Sequence, residues 1–567
     1  NHYQPDNITV NDVMLDTPTN NFPTLNSLMG NAASGITLTQ GNLKAAQASL
    51  TSDTAKTYST IGLISGKWYV EVACSAANVY SGNGVVNVSQ SSEGFDFSSS
   101  TNNVSVFSWG DRVYKNGSQT QSGVANAAGG SNILGIALNL DDGTVQLYSN
   151  GSTTGSAETL TRNTGDIFVF CNAAESGGYA STSAYEWNFG QNGTHSGTKT
   201  AGGNTDGNGI GNFVNSVPSG FLAPCSSNLA TPTIKLPTEH FNTKLYTGNG
   251  ATAQEISLDF NPDLVWVKSR TDTEHHSLVD RVRGDVAVNS NQNIAEYAVV
   301  AFDFNTNNTV DVPVYANDYS MNTSSDNYVM WHWKANGSGS ANTDGTINTT
   351  STSVNTTAGF SIGTYTGEGG LKTVGHGLGV VPAMIMVKCR SDAIDWCVYF
   401  GDSTDSLTLN DAAARDDNDN RWNDTAPTSS VFTVYSSNEV NDSGKTYVYY
   451  AFAEIEGFSK FGQYTGNAST NGMMVNLGFR PAFVMIKRLD ANGMGWGIFD
   501  NKRSPSNEVD ELLYANSSDA EADSDTLDFL SNGFKVITSG SNFINGSGGT
   551  MFYMAFAESP FKYANAR

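Results

Sequence analysis

One strand-like segment occurs three times in this chain, and this triplication limits the possible folds more than any other feature. Each copy begins with proline, continues through β-branched and aromatic residues, and ends with lysine. The copies are Pro262-Asp-Leu-Val-Trp-Val-Lys268, Pro382-Ala-Met-Ile-Met-Val-Lys388 and Pro481-Ala-Phe-Val-Met-Ile-Lys487. Proline is tolerated at the first residue of a strand, and a continuous apolar run is typical of a strand buried on both faces. Three central strands therefore predict three copies of one small β domain.

The sequences that flank this strand also repeat. A Tyr-Thr-Gly triplet precedes each copy, at Tyr246, Tyr365 and Tyr464, and an asparagine with an aromatic strand follows it, at Asn322, Asn441 and Asn545. We therefore predict repeats at 240–340, 358–456 and 457–567, with the three prolines at equivalent positions. A Gly- and Thr-rich stretch separates the first two repeats, whereas the second passes directly into the third.

Composition favours β structure and excludes several classes of ligand. The 567 residues include 29 Lys and Arg against 54 Asp and Glu, a net charge of −25, which opposes binding to nucleic acid or to anionic membranes. Gly, Asn, Ser and Thr provide most of the polarity, as in chains of strands and turns. No apolar run approaches the ~18 residues of a membrane span. The five cysteines form no CxxC or other paired spacing, so neither a zinc site nor a disulfide framework is expected. We expect no cofactor.

Three segments precede the repeats. Residues 1–57 are predicted to be an extended connector, in which Leu43-Lys-Ala-Ala-Gln-Ala is the one early helical possibility. A β domain is predicted at 58–225, followed by a linker at 226–239. Within the domain, 133–140 and 145–148 predict a hairpin around Asp141-Asp-Gly143. We favour a turn role for Asp141 and Asp142 over metal binding.

Four motifs in this domain resemble, in order, those of SPRY domains. They are Gly66-Lys-Trp-Tyr-Val-Glu-Val72, Gly135-Ile-Ala-Leu-Asn-Leu-Asp-Asp-Gly143, Tyr148-Ser-Asn-Gly151 and Trp187-Asn-Phe-Gly190. The resemblance implies a concanavalin-like β-sandwich that binds partners through loops rather than catalysing a reaction. The expected fold is thus all-β, a SPRY-like sandwich followed by three tandem small β domains.

The repeat signatures behind a SPRY-like unit also resemble repeat proteins of tailed bacteriophages from aquatic bacteria. The closing sequence Ala555-Phe-Ala-Glu-Ser-Pro-Phe-Lys-Tyr-Ala-Asn-Ala-Arg567 is particularly similar to the C-termini of that family. The resemblance implies a virion protein of a tail fibre or another appendage, assembled as a homotrimer with other virion proteins. It also implies contact with a host-surface glycan or protein, and it provides no catalytic residues. The alternatives are a polysaccharide-degrading tailspike, a capsid decoration protein and a bacterial surface adhesin.

The most distinctive candidate site is Asp416-Asp-Asn418-Asp-Asn420-Arg-Trp422. Its alternating carboxylate and amide oxygens resemble calcium ligands, but Arg421 stands where an EF-hand needs glycine. A solvated loop and a calcium site of another kind remain open. Asp416, Asn418, Asn420 and the ring of Trp422 could together contact a sugar. We predict that receptor binding is concentrated in the variable segments 271–320, 391–437 and 490–541. The alternative is that these segments pack against neighbouring subunits.

Other polar residues favour structural roles. His276 has Trp396 and Trp496 at the matching positions, which predicts a ring packed on the sheet rather than a metal ligand. His332 is expected on one face of a strand. The lysines that end the repeated strands are expected to solvate the strand ends, with a row of anion-binding cations as the alternative. The acidic run 519–525 predicts a solvated loop. Since no nucleophile or acid–base set stands out, we predict no catalytic activity.

Overall fold

The computed structural model describes residues 15–17, 19–26, 36–47, 55–74, 81–88, 105–109, 112–124, 132–160, 162–163, 166–174, 184–314 and 320–564. Over these ranges the chain is all-β, as predicted, and its two α-helices are the four-residue α1 (Asp419–Trp422) and α2 (Asn542–Asn545). Short 3-10 turns lie at Pro237–Glu239 and Phe561–Tyr563. Among the described residues, no helix combines the length and apolar character needed to cross a bilayer. The chain divides into two compact units, 1–231 and 232–567.

The first unit contains two seven-stranded sheets, ordered β1-β4-β13-β6-β7-β8-β9 and β12-β11-β10-β5-β14-β3-β2. Its strands are β1 (Leu25–Asn26), β2 (Ile36–Thr39), β3 (Lys44–Gln47), β4 (Ala55–Ser59), β5 (Lys67–Cys74), β6 (Ser81–Asn87), β7 (Ser105–Trp109), β8 (Arg112–Lys115), β9 (Ser118–Ser122), β10 (Ile133–Asn139), β11 (Thr144–Ser149), β12 (Ser152–Thr159), β13 (Phe168–Ala174) and β14 (Ala184–Asn188).

The two sheets pack face to face as a sandwich. Phe170 of one sheet contacts Trp187 of the other, with ring centroids 6.4 Å apart. The prediction that 1–57 is a connector is wrong for its described part, because β1 pairs with β4 and β3 pairs with β14. The segment expected to allow a helix is thus a strand, and it buries Leu43 and Ala45.

The predicted hairpin is present, since β10 pairs with β11 in an antiparallel register. The side-chain oxygen of Asn139 accepts the backbone N–H groups of Asp141 and Asp142 at 3.1 and 3.0 Å. Asp141 in turn accepts the N–H of Gly66 at 2.8 Å. Both aspartates therefore hold the turn, as we expected.

The second unit contains all three repeats. The first repeat has β15 (Phe241–Thr247), β16 (Ala253–Ser257), β17 (Leu264–Ser269), β18 (Ser277–Asp280), β19 (Val286–Val288), β20 (Tyr297–Ala298), β21 (Asp303–Phe304), β22 (Thr309–Pro313) and β23 (Asn327–Trp333). The second has β25 (Phe360–Thr366), β26 (Lys372–Gly375), β27 (Met384–Cys389), β28 (Cys397–Tyr399), β29 (Asp405–Ser406), β30 (Asp416–Asp417), β31 (Val431–Val434) and β32 (Thr446–Phe452), preceded by β24 (Ser351–Asn355). The third has β33 (Ser459–Thr465), β34 (Met474–Asn476), β35 (Phe479–Arg488), β36 (Trp496–Asp500), β37 (Val509–Tyr514), β38 (Ala522–Leu530), β39 (Gly533–Val536) and β40 (Thr550–Pro560).

The main sheets of the repeats share one strand order. Their matching strands run β15-β23-β17-β18, β25-β32-β27-β28 and β33-β40-β35-β36. The proline-led strand is central in each. The register pairs Lys268 with Val329, Lys388 with Val448 and Lys487 with Phe552. Pro262, Pro382 and Pro481 therefore occupy equivalent positions, as predicted. The Thr-rich separator also contains a strand, β24, which extends the second sheet beyond β25.

The repeats share one apolar core, whereas we expected three tandem small domains. In β17, Leu264 and Trp266 belong to a core built from all three repeats, and Val265 and Val267 belong to a second core within the first repeat. The other two repeats have second cores of their own. A strand that is apolar on both faces needs a cover on each side. Residues of the same repeat cover one face of the strand, and residues of the neighbouring repeats cover the other face.

Candidate functional site

Three aromatic rings meet where the repeats join. Trp333, Phe452 and Phe556 occupy the same position in the closing strands β23, β32 and β40, because they pair with Leu264, Met384 and Phe483, respectively. Their ring centroids lie 6.3, 5.8 and 5.9 Å apart, so each ring contacts both others. The three repeats thus close around one aromatic triangle and form what we call the head.

Each pair of repeats meets in an interface that we call a seam: the first seam joins repeats one and two, the second joins two and three, and the closing seam joins three and one. In every seam, one aromatic ring nitrogen bonds a backbone carbonyl of the other repeat. The bonds are Trp396 Nε1 to Asn289 O (2.8 Å), Trp496 Nε1 to Thr408 O (2.9 Å) and His276 Nε2 to Tyr514 O (3.0 Å). The sequence alignment of His276 with Trp396 and Trp496 predicted an aromatic ring at this position of each repeat. It did not predict that the ring nitrogen bonds a carbonyl of another repeat.

A backbone hydrogen bond repeats in the same way. It runs from Glu296 N to Arg390 O, from Arg415 N to Leu489 O and from Glu521 N to Arg270 O, and it measures 2.9 Å in all three seams. The seams therefore share one backbone geometry. Their side chains do not share one chemistry.

The first seam contains a buried ionic network. Asp280 binds the Arg283 guanidinium at 2.6 Å and accepts the Tyr450 hydroxyl of the second repeat at 2.8 Å. Arg283 lies 3.6 Å from Glu296, whose carboxylate accepts the Arg390 guanidinium of the second repeat at 2.8 and 2.9 Å. Both partners of the Asp280–Arg283 pair are fully buried.

The closing seam contains the matching network. Arg503 binds Asp500 at 2.5 Å and Glu521 at 3.0 Å, and Glu521 also accepts the guanidinium of Arg270 from the first repeat. Trp331 of the first repeat donates its indole N–H to Asp500. The prediction that 519–525 is a solvated charge run is therefore wrong for Glu521, because two arginines from different repeats bury it.

The second seam replaces this network with apolar contact. Phe400 stands where the other repeats have aspartate, and it packs on Phe552 of the third repeat at a centroid distance of 5.8 Å. Leu489 stands where they have arginine. Arg415, which takes the place of the glutamates, binds Asp405 of its own repeat at 3.3 Å. A buried charge without its partner is costly, so each repeat fits only its own two neighbours.

The lysines at the ends of the repeated strands are buried, which overturns the prediction that they solvate the strand ends. Lys268 is 1 % exposed, and Lys388 and Lys487 are 0 % exposed. Their ammonium groups donate to the carbonyls of Ser269 and Asp272, of Cys389, Ile394 and Asn293, and of Met494. Burial lowers the pKa of each to about 8. A row of solvent-facing cations is therefore not formed.

The Tyr-Thr-Gly triplets have a structural explanation. In each repeat the tyrosine hydroxyl donates to the carbonyl just before the repeated asparagine, at Met321, Val440 and Ile544. The asparagine side chain then accepts the N–H of the residue after the glycine, at Asn249, Glu368 and Asn467. The glycine lies so close to this crossing that a Cβ at Gly367 would be 2.3 Å from the carbonyl oxygen of Asp442.

The candidate loop 416–422 is held by its own residues. Asn418 caps the short helix α1 by accepting the N–H of Asn420 at 3.1 Å, and Asp416 binds Arg421 at 2.9 Å. Trp422 is 2 % exposed and packs on Tyr399 in the second core of its repeat. The prediction that this ring could stack on a sugar is therefore wrong. Asp416 and Asn420 remain exposed.

The variable segments proposed for receptor contact also contribute to the seams. His276 and Glu296 lie in the first segment, Trp396 and Arg415 in the second, and Glu521 in the third. Part of each segment is therefore buried against another repeat of the same chain. We predicted packing against neighbouring subunits as the alternative, and here the neighbour is another repeat. Within the described ranges, no three histidine, cysteine or acidic side chains gather as a metal site requires.

The fold and its seams define an all-β protein whose second unit is a closed head of three related repeats. Residues 236–560 match the model of a family described as a domain of unknown function, DUF7483, and the chain belongs to this family. No curated protein matches the sequence.

Several solved structures resemble part of the chain. The TRIM65 PSpry domain is 15 % identical, with a TM-score of 0.24, and the match covers 29 % of this chain and 91 % of that one. The SPRY domain of human HERC1 is 11 % identical, with a TM-score of 0.22, over 30 % and 95 % of the two chains. Stonustoxin is 19 % identical, with a TM-score of 0.22, over 29 % and 27 %.

Proposed function

We propose that this protein is a non-enzymatic structural protein of a bacteriophage virion, placed in a tail fibre or another appendage, and that it helps to recognise the host surface. The repeat signatures and the C-terminal resemblance support this assignment. One structural observation supports a scaffold role: the proline, lysine, glycine and asparagine common to all three repeats are buried in each copy. Repetition in this chain thus builds a rigid scaffold, and the exposed loops differ from copy to copy.

Recognition is assigned to those exposed loops, with a host glycan or protein as the partner. In the second repeat, the exposed carboxylates and amides between Asp416 and Asn420 sit on a loop that the buried Trp422 anchors. Rigid presentation lowers the entropy lost on binding and suits weak, repeated contacts.

The chain is proposed to form a homotrimer, and this trimer is proposed to contact other virion proteins. Each seam of the head is filled by repeats of the same chain. Contacts between copies therefore use other surfaces.

Antibody labelling of purified virions by electron microscopy tests the assignment. Label on a tail appendage is expected. Label on the capsid would instead favour a decoration protein, and label only on bacterial cells would favour an adhesin. Release of shorter chains from host polysaccharide would contradict the non-enzymatic assignment in favour of a tailspike.

Two neighbouring substitutions separate recognition from folding. Asn420→Ala removes an exposed amide and is expected to weaken attachment to cells while the melting temperature stays unchanged. Trp422→Ala removes a buried ring and is expected to lower the stability by about 3–5 kcal/mol. If Asn420→Ala and exposed alanine variants in the other two variable segments all attach normally, these loops do not bind the receptor.

A further inference from the structure

The closing seam differs from the other two in its chain connection. The first and second repeats are joined through 341–357, and the second and third are joined at Gly457. The closing seam joins the first repeat to the third, which are not consecutive in the chain. Only noncovalent contacts therefore hold this seam, and it is the place where the head can open without separating consecutive repeats.

This seam also contains the one titratable ring of the three equivalent positions. Trp266 donates its indole N–H to Nδ1 of His276 at 2.8 Å, and Nε2 of His276 lies 3.0 Å from the carbonyl oxygen of Tyr514. The two bonds require a neutral imidazole with its proton on Nε2. The ring is completely buried. A second proton would go to Nδ1 and would point at the indole N–H, so two donors would face each other across 2.8 Å.

We propose that the closing seam is an acid-sensitive latch, in which protonation of His276 at Nδ1 breaks its bond to Trp266, forces the ring out of the closed seam and releases the third repeat from the first. The equivalent rings Trp396 and Trp496 cannot take up a proton, so the first and second seams lack this response. Acid would thus open the head at one defined place.

The groups around His276 act on its pKa in both directions, and those that lower the pKa prevail. Burial lowers its pKa well below the ordinary value, and the charges of Lys268 and His275 lower it further. From the third repeat, the ring faces the backbone of Tyr514 and Ser517, whose hydrogen bonds raise the pKa. Four acidic side chains surround Lys268 instead: Asp272, Glu274, Asp519 and Glu521.

The carboxylates of the seam respond differently to acid. Arg270 and Arg503 keep Glu521 ionised by lowering its pKa. Glu511 bonds Glu521, and burial together with that neighbour raises its pKa to about 7. Acid therefore discharges Glu511 and relieves repulsion. This effect stabilises the seam as the pH falls, opposite to the effect of His276.

Hydrogen exchange of the full chain measures the latch directly. The amides of Glu521, Glu296 and Arg415 make the same 2.9 Å bond, one in each seam, and serve as matched reporters. After correction for the intrinsic exchange rate, the opening constant at Glu521 relative to that of a His276→Trp variant should rise about tenfold for each pH unit below ~6.5, because the exposed imidazole of the open seam binds a proton there and Glu511 acts equally in both chains. The constants at Glu296 and Arg415 should stay level over the same range.

Two substitutions make the test specific. His276→Trp installs the residue of the other two repeats and should abolish the acid-induced opening at Glu521, so that only the opposite effect of Glu511 remains. Trp266→Met installs the residue found at the equivalent Met386 and Met485, removes the opposing donor, and should weaken the response. The latch is overturned if the three amides lose protection together, or if either folded variant keeps the full response at Glu521.

Discussion

The indole Nε1 of Trp331 donates a 3.0 Å hydrogen bond to the carboxylate of Asp500, and this bond joins the first repeat to the third. In the second repeat, Phe400 occupies the position of Asp500, and it packs on the ring of Phe552 instead of accepting a hydrogen bond. The repeats therefore share a topology but do not have interchangeable surfaces. Buried polar contacts of this kind are associated with unique pairing, since a wrong neighbour leaves a charge unpaired.

Removing Asp500 should destabilise the head strongly. Asp500→Ala leaves the fully buried Arg503 without its main partner and leaves the indole N–H of Trp331 without an acceptor. We expect a loss of about 3–5 kcal/mol in the free energy of unfolding, measured by urea denaturation. Lys502→Ala, at the exposed neighbouring position, is the control and should change stability by less than about 0.5 kcal/mol. A loss no larger than that of the control would show that the network does not stabilise the seam.

His332 should make the protein sensitive to acid. The ring is fully buried with neither nitrogen hydrogen-bonded to a side chain, and burial lowers its pKa to about 4. Between pH 6.5 and 4 the unfolded chain binds this proton and the folded chain does not, so stability falls as the pH falls, by on the order of 3 kcal/mol in total. His332→Ala, which installs the residue of Ala451 and Ala555, should flatten this dependence in unfolding measurements across that range. An unchanged slope would contradict the prediction.

Gly367 should not tolerate a side chain. A Cβ there would lie 2.3 Å from the carbonyl oxygen of Asp442, where the Tyr-Thr-Gly turn crosses the chain. Gly367→Ala is expected to lower the stability by about 1–3 kcal/mol, because backbone atoms have to move apart. Gly540→Ala is the matched control, since nothing lies within 4 Å of its Cβ position. Thermal unfolding of both variants compares them, and equal melting temperatures would disprove the steric explanation.

The buried lysines predict a rise of stability with pH. Their pKa is about 8 in the folded chain, below the ordinary value of 10.5, so the unfolded chain binds more protons between these values. The free energy of unfolding should therefore increase from pH 8 to pH 10. Lys487→Met should reduce this increase by about a third, because Lys268 and Lys388 remain. Chemical denaturation at four pH values measures it, and an undiminished increase in the variant would assign the effect to other groups.

The sequence by itself determined the local structure of the repeats. The proline-led apolar run gave central strands, and the alignment of His276 with two tryptophans gave one ring position, because both depend on side chains near each other in the chain. The hairpin at Asp141 followed from its turn residues in the same way. The buried lysines also carry a local signal, since each ends an apolar strand.

Only the tertiary structure decided what covers each surface. Polar character predicted exposure for Glu521 and for the strand-end lysines, yet another repeat or a folded-back loop buries them. Trp422 faces inward because the second core of its own repeat accepts the ring. A strand that is apolar on both faces requires a cover but does not specify it. In this chain the cover comes from a different repeat, and the chemistry of its residues in each seam fixes which repeats meet.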